Sequence, residues 1–170
     1  MPPAAMLARC RSVQRENLDF EERSREIERE NNNLANFAAQ GTMVAMVPPG
    51  VGVFVLASDD NEIHGNTIQG NVSAPVVVFS YNEMLFGPVN DPTYDFWPQG
   101  NYTHDNTYTN NGTDPQGIIG LLTAIRPVPD VLWDGCTDAM AVDDGHLINC
   151  VMEAGTTTYL NFNQCNELPA

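Results

Sequence analysis

The chain has 170 residues, enough for one domain with a real core, and at 42% hydrophobic and 17% charged it is neither a disordered tail nor a membrane protein. Its formal net charge of -15 repels phosphate backbones, which sets nucleic-acid binding aside. The same charge repels polyanionic sugars such as alginate or pectate unless Ca²⁺ bridges the two, and it otherwise serves solubility.

Residues 1–30 form a block of their own. They hold Arg9, Arg11, Arg15, Arg23, Arg25 and Arg29, and residues 1–29 hold six acids as well, so the -15 belongs to the rest of the chain. Gln14–Glu30 reads as a polar helix, with Val13, Leu18, Phe20 and Ile27 giving a weak apolar stripe. Two readings stay open: a cap over an open sheet edge, or a start that is not native to the body that follows. Leu7-Ala-Arg-Cys10 has the outline of a lipoprotein cleavage site, but Arg9 stands where a small residue is needed and no apolar stretch precedes it. It is not read as an export signal, and no run approaches the roughly 18 apolar residues of a membrane span.

From Asn31 onward, short strands alternate with Asn, Asp and Gly. Gly41–Val47 and Val51–Leu56 are strand-like, split by the turn Pro48-Pro-Gly50. Glu62-Ile63, Thr67-Ile68 and Val76–Phe79 follow as extended pieces, and Val53 to Val76 is a step of 23 residues. Asn61-Glu-Ile-His-Gly-Asn-Thr-Ile68 returns forty positions later as Asn101-Tyr-Thr-His-Asp-Asn-Thr-Tyr108, matching His64 to His104 and Asn66 to Asn106. A repeat unit of this kind stacks on its neighbour. Three short strands per step make one coil of a right-handed parallel β-helix. Asn suits the corners, because it tolerates the left-handed region and its amide can bond to the coils above and below. Ile63, Ile68, Val76 and Val78 then point inward, with Tyr102 and Tyr108 inward or at the rim.

Residues 82–100 break this rhythm as an insertion holding Tyr94, Phe96 and Trp97. After Pro115 the periodicity ends; Ile118–Ile125 reads as a short helix, and a tail carries Cys136, Cys150 and Cys165. With Cys10 these are four cysteines, without CxxC or ligand-like His spacing, so zinc and haem are unsupported. A disulfide within the tail, and hence an oxidising compartment, is expected. Spacing does not fix the pairing; Cys150–Cys165 closes the short loop.

The Asn repeat at 61–68, the run Asn106–Pro115, Val131-Leu-Trp-Asp-Gly-Cys136, Cys150 and Asn161-Phe162 together resemble a family of exported bacterial parallel β-helix repeat proteins. The resemblance runs from about residue 31 to 165. It implies a general fold similar to pectate lyases and alginate epimerases, a periplasmic or extracellular location, and as partners a polysaccharide or an exported dihaem c-type cytochrome. Because the signal and most upstream coils of that family are missing, it also implies a C-terminal piece of a longer protein or a damaged 5′ end.

The catalytic candidates are Asp59, Asp60, His64, His104 and Asp105. A polysaccharide lyase or epimerase needs a base to take the proton α to a uronate carboxylate and a cation to neutralise that carboxylate. The repeat offers histidines but no Lys or Arg, and Arg126 lies beyond it. Matched histidines are therefore read as a stacking ladder. Asp59-Asp60-Asn61 could contribute to a Ca²⁺ site, although paired acids in a turn are usually solvated. Tyr94, Phe96 and Trp97 offer a sugar-stacking platform or packing for the insertion. Asn71-Val-Ser, Asn101-Tyr-Thr and Asn111-Gly-Thr have the glycosylation pattern that an Asn/Thr-rich repeat generates by chance.

The expectation is an all-β chain: a truncated right-handed parallel β-helix with a polar N-terminal helix (1–30), coils at 31–115 and an irregular tail at 116–170. Its expected role is a non-catalytic module for a surface glycan or exported partner protein, with no catalytic, cofactor or metal residues assigned. The alternative is a polysaccharide lyase or epimerase whose catalytic residues lie largely on missing coils.

Overall fold

The computed structural model describes residues 28–39, 41–138, 140, 149–153, 155–162 and 165. Ten strands dominate it: β1 (Glu28–Glu30), β2 (Val51–Leu56), β3 (Glu62–His64), β4 (Thr67–Gln69), β5 (Ala74–Phe79), β6 (Tyr102–His104), β7 (Thr107–Thr109), β8 (Val131–Trp133), β9 (Cys150–Met152) and β10 (Tyr159–Asn161). Two short helices, α1 (Glu83–Phe86) and α2 (Gly117–Leu122), and a 3-10 turn at Met43–Met46 complete the described elements.

The strands form three sheets, and every pairing is parallel. Sheet one has the order β1-β4-β7, sheet two β10-β8-β5-β2, and sheet three β3-β6-β9. From β2 to β9 the chain visits sheets two, three and one in fixed rotation, so each strand up to β6 pairs with the one three places on. The 23-residue step is a true register: Val53 stands opposite Val76. So is the 40-residue echo, which sets His64 opposite His104 and Thr67 opposite Thr107.

Three expectations change. Glu28–Glu30, placed in the polar helix, is a strand that pairs with β4, and Glu30 accepts a hydrogen bond from the Gln69 side chain; the rest of that expected helix, residues 14–27, lies outside the described residues. Gly41–Val47 is not a strand, because its amides bond locally, Ala45 to Thr42 and Val47 to Val44. The tail after Pro115 is less irregular than expected: β8, β9 and β10 add to the sheets already built.

Two apolar clusters lie on either side of sheet two. One joins the three sheets through Val55, Ile63, Ile68, Val76, Val78 and Trp133. The other covers the opposite face, where Val77, Phe79 and Leu132 pack beneath Ile118, Ile119 and Leu122 of α2. Being covered on both faces, β5 is buried at all six positions, which is why it reads as a continuous apolar run. Each fully buried Val or Ile contributes about 1.5–3 kcal/mol. The Trp133 indole N–H is buried without a hydrogen-bond partner among the described residues, and nothing in the structure explains it.

Asparagine columns tie successive passes together at the corners. Asn61 donates from both its backbone N–H and its side-chain amide to Asn101 Oδ1 (3.0 and 2.7 Å), and Asn101 does the same to Asn149 (3.0 and 2.9 Å). Asn32, Asn71 and Asn111 form a second column. The third runs Asn66, Asn106 and then Glu153, whose carboxylate takes both Asn106 donors at 2.8 Å. These residues do not themselves turn the corner. At seven of the nine column positions the left-handed residue is the one before: Asp60, Gly65, Gly70, Gly100, Asp105, Asn110 and Asn31. Two jobs expected of one Asn are divided between neighbours, which frees the second residue to keep its amide aligned along the column.

Candidate functional site

The repeated histidines come first, because the sequence singled them out. His64 and His104 stack with ring centroids 4.9 Å apart and planes 1° from parallel. His104 Nε2 lies 2.8 Å from Glu62 Oε1, and Nδ1 lies 2.7 Å from Asp105 Oδ2. Each ring nitrogen of His104 therefore already faces a carboxylate of this chain. Tyr102 also stacks on His104, with centroids 4.3 Å apart, and burial, with Asp105 and Glu62 adding to it, pushes its hydroxyl pKa up.

Asp59, Asp60 and Asp105 fall on corners. Asp60 and Asp105 have φ of 53° and 52° and supply the left-handed turns before β3 and after β6, at opposite ends of sheet three. Asp59 Oδ1 accepts from the Gln99 backbone N–H at 2.7 Å, while Asp60 N–H donates to the Gln99 carbonyl. Partial burial raises the Asp59 pKa, and the nearby carboxylates of Asp95 and Asp60 raise it further. Among the described residues, no group of three or more His, Cys, Asp or Glu side chains is arranged to hold a metal ion. The Asn71, Asn101 and Asn111 amides are buried and engaged in the columns, which closes all three glycosylation patterns in the folded chain.

The insertion builds a different kind of place. Asn82 caps α1 by accepting from Met84 N–H, and the Tyr81 hydroxyl donates to the Phe86 and Gly87 carbonyls at 3.1 and 3.0 Å. Tyr81 also packs against Phe86, Tyr94 and Phe96 with centroids 5.3–5.9 Å apart. Tyr94 and Phe96 therefore anchor the insertion to the body, as the packing reading holds. Trp97 does not join them: among the described residues it has no ring partner. It is half-buried and lines a cleft of about 570 Å³ with Tyr81, Asn82, Glu83 and Phe96.

The far wall of this cleft is the disulfide Cys136–Cys165, which corrects the expected Cys150–Cys165 pairing. Trp133 of β8 stands opposite Asn161 of β10, and Cys136 and Cys165, three and four residues further along the chain, come to a Cα separation of 5.0 Å. Cys150 lies in sheet three, opposite Tyr102. Behind Ser80, Asn82 and Met84 the cleft adjoins a second cavity of about 250 Å³, lined mainly by Phe79, Phe86, Ile118 and Leu122. Asp134 sits at its base, accepting from Ser80 N–H (2.7 Å), Ser80 Oγ–H (2.6 Å) and Cys136 N–H (3.0 Å). Burial raises the Asp134 pKa and these bonds oppose the rise.

No family model, curated protein or solved structure matches this chain. The site therefore rests on its own geometry. Sequence reasoning found Trp97 but missed Tyr81, Asn82 and the disulfide wall. One signal was available: Asn82-Glu83 followed by Gly87 is a helix cap and stop in miniature.

Proposed function

We propose that the chain is a right-handed parallel β-helix acting as an exported, non-catalytic binding module, and that its ligand is a surface glycan held beside Trp97. The fixed rotation of strands through three parallel sheets and the Asn columns between passes support the β-helix. The Cys136–Cys165 disulfide supports an oxidising compartment, and with it export. The observation that carries the binding role is Trp97, a half-buried indole on a cleft whose neighbouring aromatics are already packed on one another. An indole face is the surface on which a sugar ring stacks.

The histidine stack favours binding over a lyase or epimerase mechanism, since both nitrogens of His104 already face carboxylates. The test is affinity electrophoresis of the whole chain through gels containing neutral or acidic polysaccharides, alongside Trp97→Ala. Retardation by at least one polymer that Trp97→Ala abolishes is the expected result. Failure of every polymer to retard the chain overturns the glycan reading, as does retention of an exported c-type cytochrome at the Trp97 cleft instead. Release of unsaturated product from a uronate polymer, with or without Ca²⁺, overturns the non-catalytic one.

A further inference from the structure

Resting on the glycan reading above, we infer that the ligand is an uncharged sugar carrying an apolar substituent, with the sugar on Trp97 and the substituent in the cavity behind Met84. Two observations carry this. The cleft and the cavity share Ser80, Asn82 and Met84 in their linings, so the two spaces are immediate neighbours. Their linings differ in kind: the cleft joins Trp97 and Tyr81 to the amide of Asn82 and the carboxylate of Glu83, while the cavity is walled largely by Phe79, Phe86, Ile118 and Leu122.

Charge narrows the sugar. Among the described residues that line the two spaces none is a Lys, Arg or His, and both titratable carboxylates there, Glu83 and Asp134, add negative charge. A uronate would bring a further carboxylate into this field with no cation to meet it. A neutral sugar has only hydroxyls to satisfy: with Asn82 Oδ1 on the Met84 N–H and Glu83 Oε1 on the Val89 N–H, the second Glu83 oxygen offers an acceptor and the Asn82 amide N–H groups offer donors. The apolar cavity gives nothing to a bare hydroxylated ring, whereas an alkyl, acyl or aryl group gains by leaving water. Met84, almost fully exposed at the shared boundary, presents a flexible thioether to such a group.

The experiment titrates the whole chain with matched methyl and hexyl glycosides of glucose, galactose and mannose, below any micelle concentration, following indole fluorescence and calorimetric heat. Hexyl glucuronide and hexanol serve as controls. For at least one sugar the hexyl glycoside binds tenfold or more tightly than the methyl glycoside, the change expected from burying two or more methylenes. Trp97→Ala weakens both members of that pair, whereas Met84→Ser narrows the gap between them. Equal affinity of the hexyl and methyl forms overturns the substituent while leaving the glycan reading intact. Hexyl glucuronide binding as well as the neutral form overturns the charge argument, and hexanol binding as well as the hexyl glycoside overturns the sugar. If polysaccharides and glycosides alike fail to bind, the glycan reading itself falls.

Discussion

The corners of the sheets and the flank beside the insertion treat their polar and aromatic groups in opposite ways. In the repeat each of these side chains is consumed by its own copy: Asn61 by Asn101 and Asn66 by Asn106 at the corners, and His64 by His104 in sheet three. At the flank, residues 82–100 have no copy, and one large ring, Trp97, borders open space. Repetition that satisfies hydrogen bonds internally leaves little for a ligand. The aperiodic segment is therefore the better place to seek function, although the repeat is the more conspicuous feature of the chain.

The largest test of that contrast removes the wall of the cleft. Cys165→Ser opens the disulfide, which closes a separation of 29 residues. The chain-entropy account puts the loss of stability at about 3–4 kcal/mol. Because Cys136 and Cys165 line the cleft, glycan affinity should fall as well, while the His64–His104 stack in sheet three keeps its NMR ring-current shifts. Simultaneous loss of both would make the two regions one cooperative unit and break the comparison.

Next is the middle of the longest-reaching Asn column. Asn101→Ala removes the acceptor for both Asn61 donors and the side-chain donor to Asn149 and to the Ser58 carbonyl, all in a position only 1% exposed. The expected cost is about 3 kcal/mol in urea unfolding, since buried partners are left unsatisfied. Trp97→Ala should cost about 1 kcal/mol or less, as a half-buried ring without ring partners among the described residues loses little packing, yet it should abolish binding. A reversal of these two stability costs would mean that Trp97 is a packing residue and the columns are ornamental.

What could be read in advance follows the same division. The 40-residue echo and the 23-residue step gave the registers of β3 with β6, β4 with β7 and β2 with β5, although in β6 the residue opposite the inward Ile63 is Thr103 rather than Tyr102. Later copies hid themselves. Asn101 meets Asn149 after 48 residues and Asn106 meets Glu153 after 47, and the carboxylate that replaces the amide there has no Asn signature. β1 was invisible because Glu28-Arg-Glu30 has no apolar pattern; only its register against β4 makes it a strand. The disulfide depended on which strands lie side by side, which loop length does not reveal. Trp97 was visible as a residue type, but its lack of a ring partner among the described residues is a fact of tertiary packing alone.

The smallest expected effect separates an acid that turns a corner from one that is crowded there. Asp60 supplies a left-handed φ, whereas Asp59 accepts from Gln99 N–H with Asp95 and Asp60 close by. The folded pKa of Asp59 lies above its ordinary value, first through burial and then through those two carboxylates. A carboxyl raised in this way contributes stability that is present below its unfolded pKa of about 4 and is lost as pH rises through the folded value. Asp59→Asn keeps an oxygen for Gln99 N–H and cannot ionise. It should match the parent chain near pH 4 and become the more stable of the two as pH rises towards 7. More than half of the group is exposed to solvent, so the gain should not exceed about 0.5 kcal/mol. Thermal unfolding of both chains at closely spaced pH values measures it. A loss of stability at pH 7 would show that the ionised carboxylate holds the 58–60 corner, and that this corner is built on charge rather than on the amide geometry of the columns.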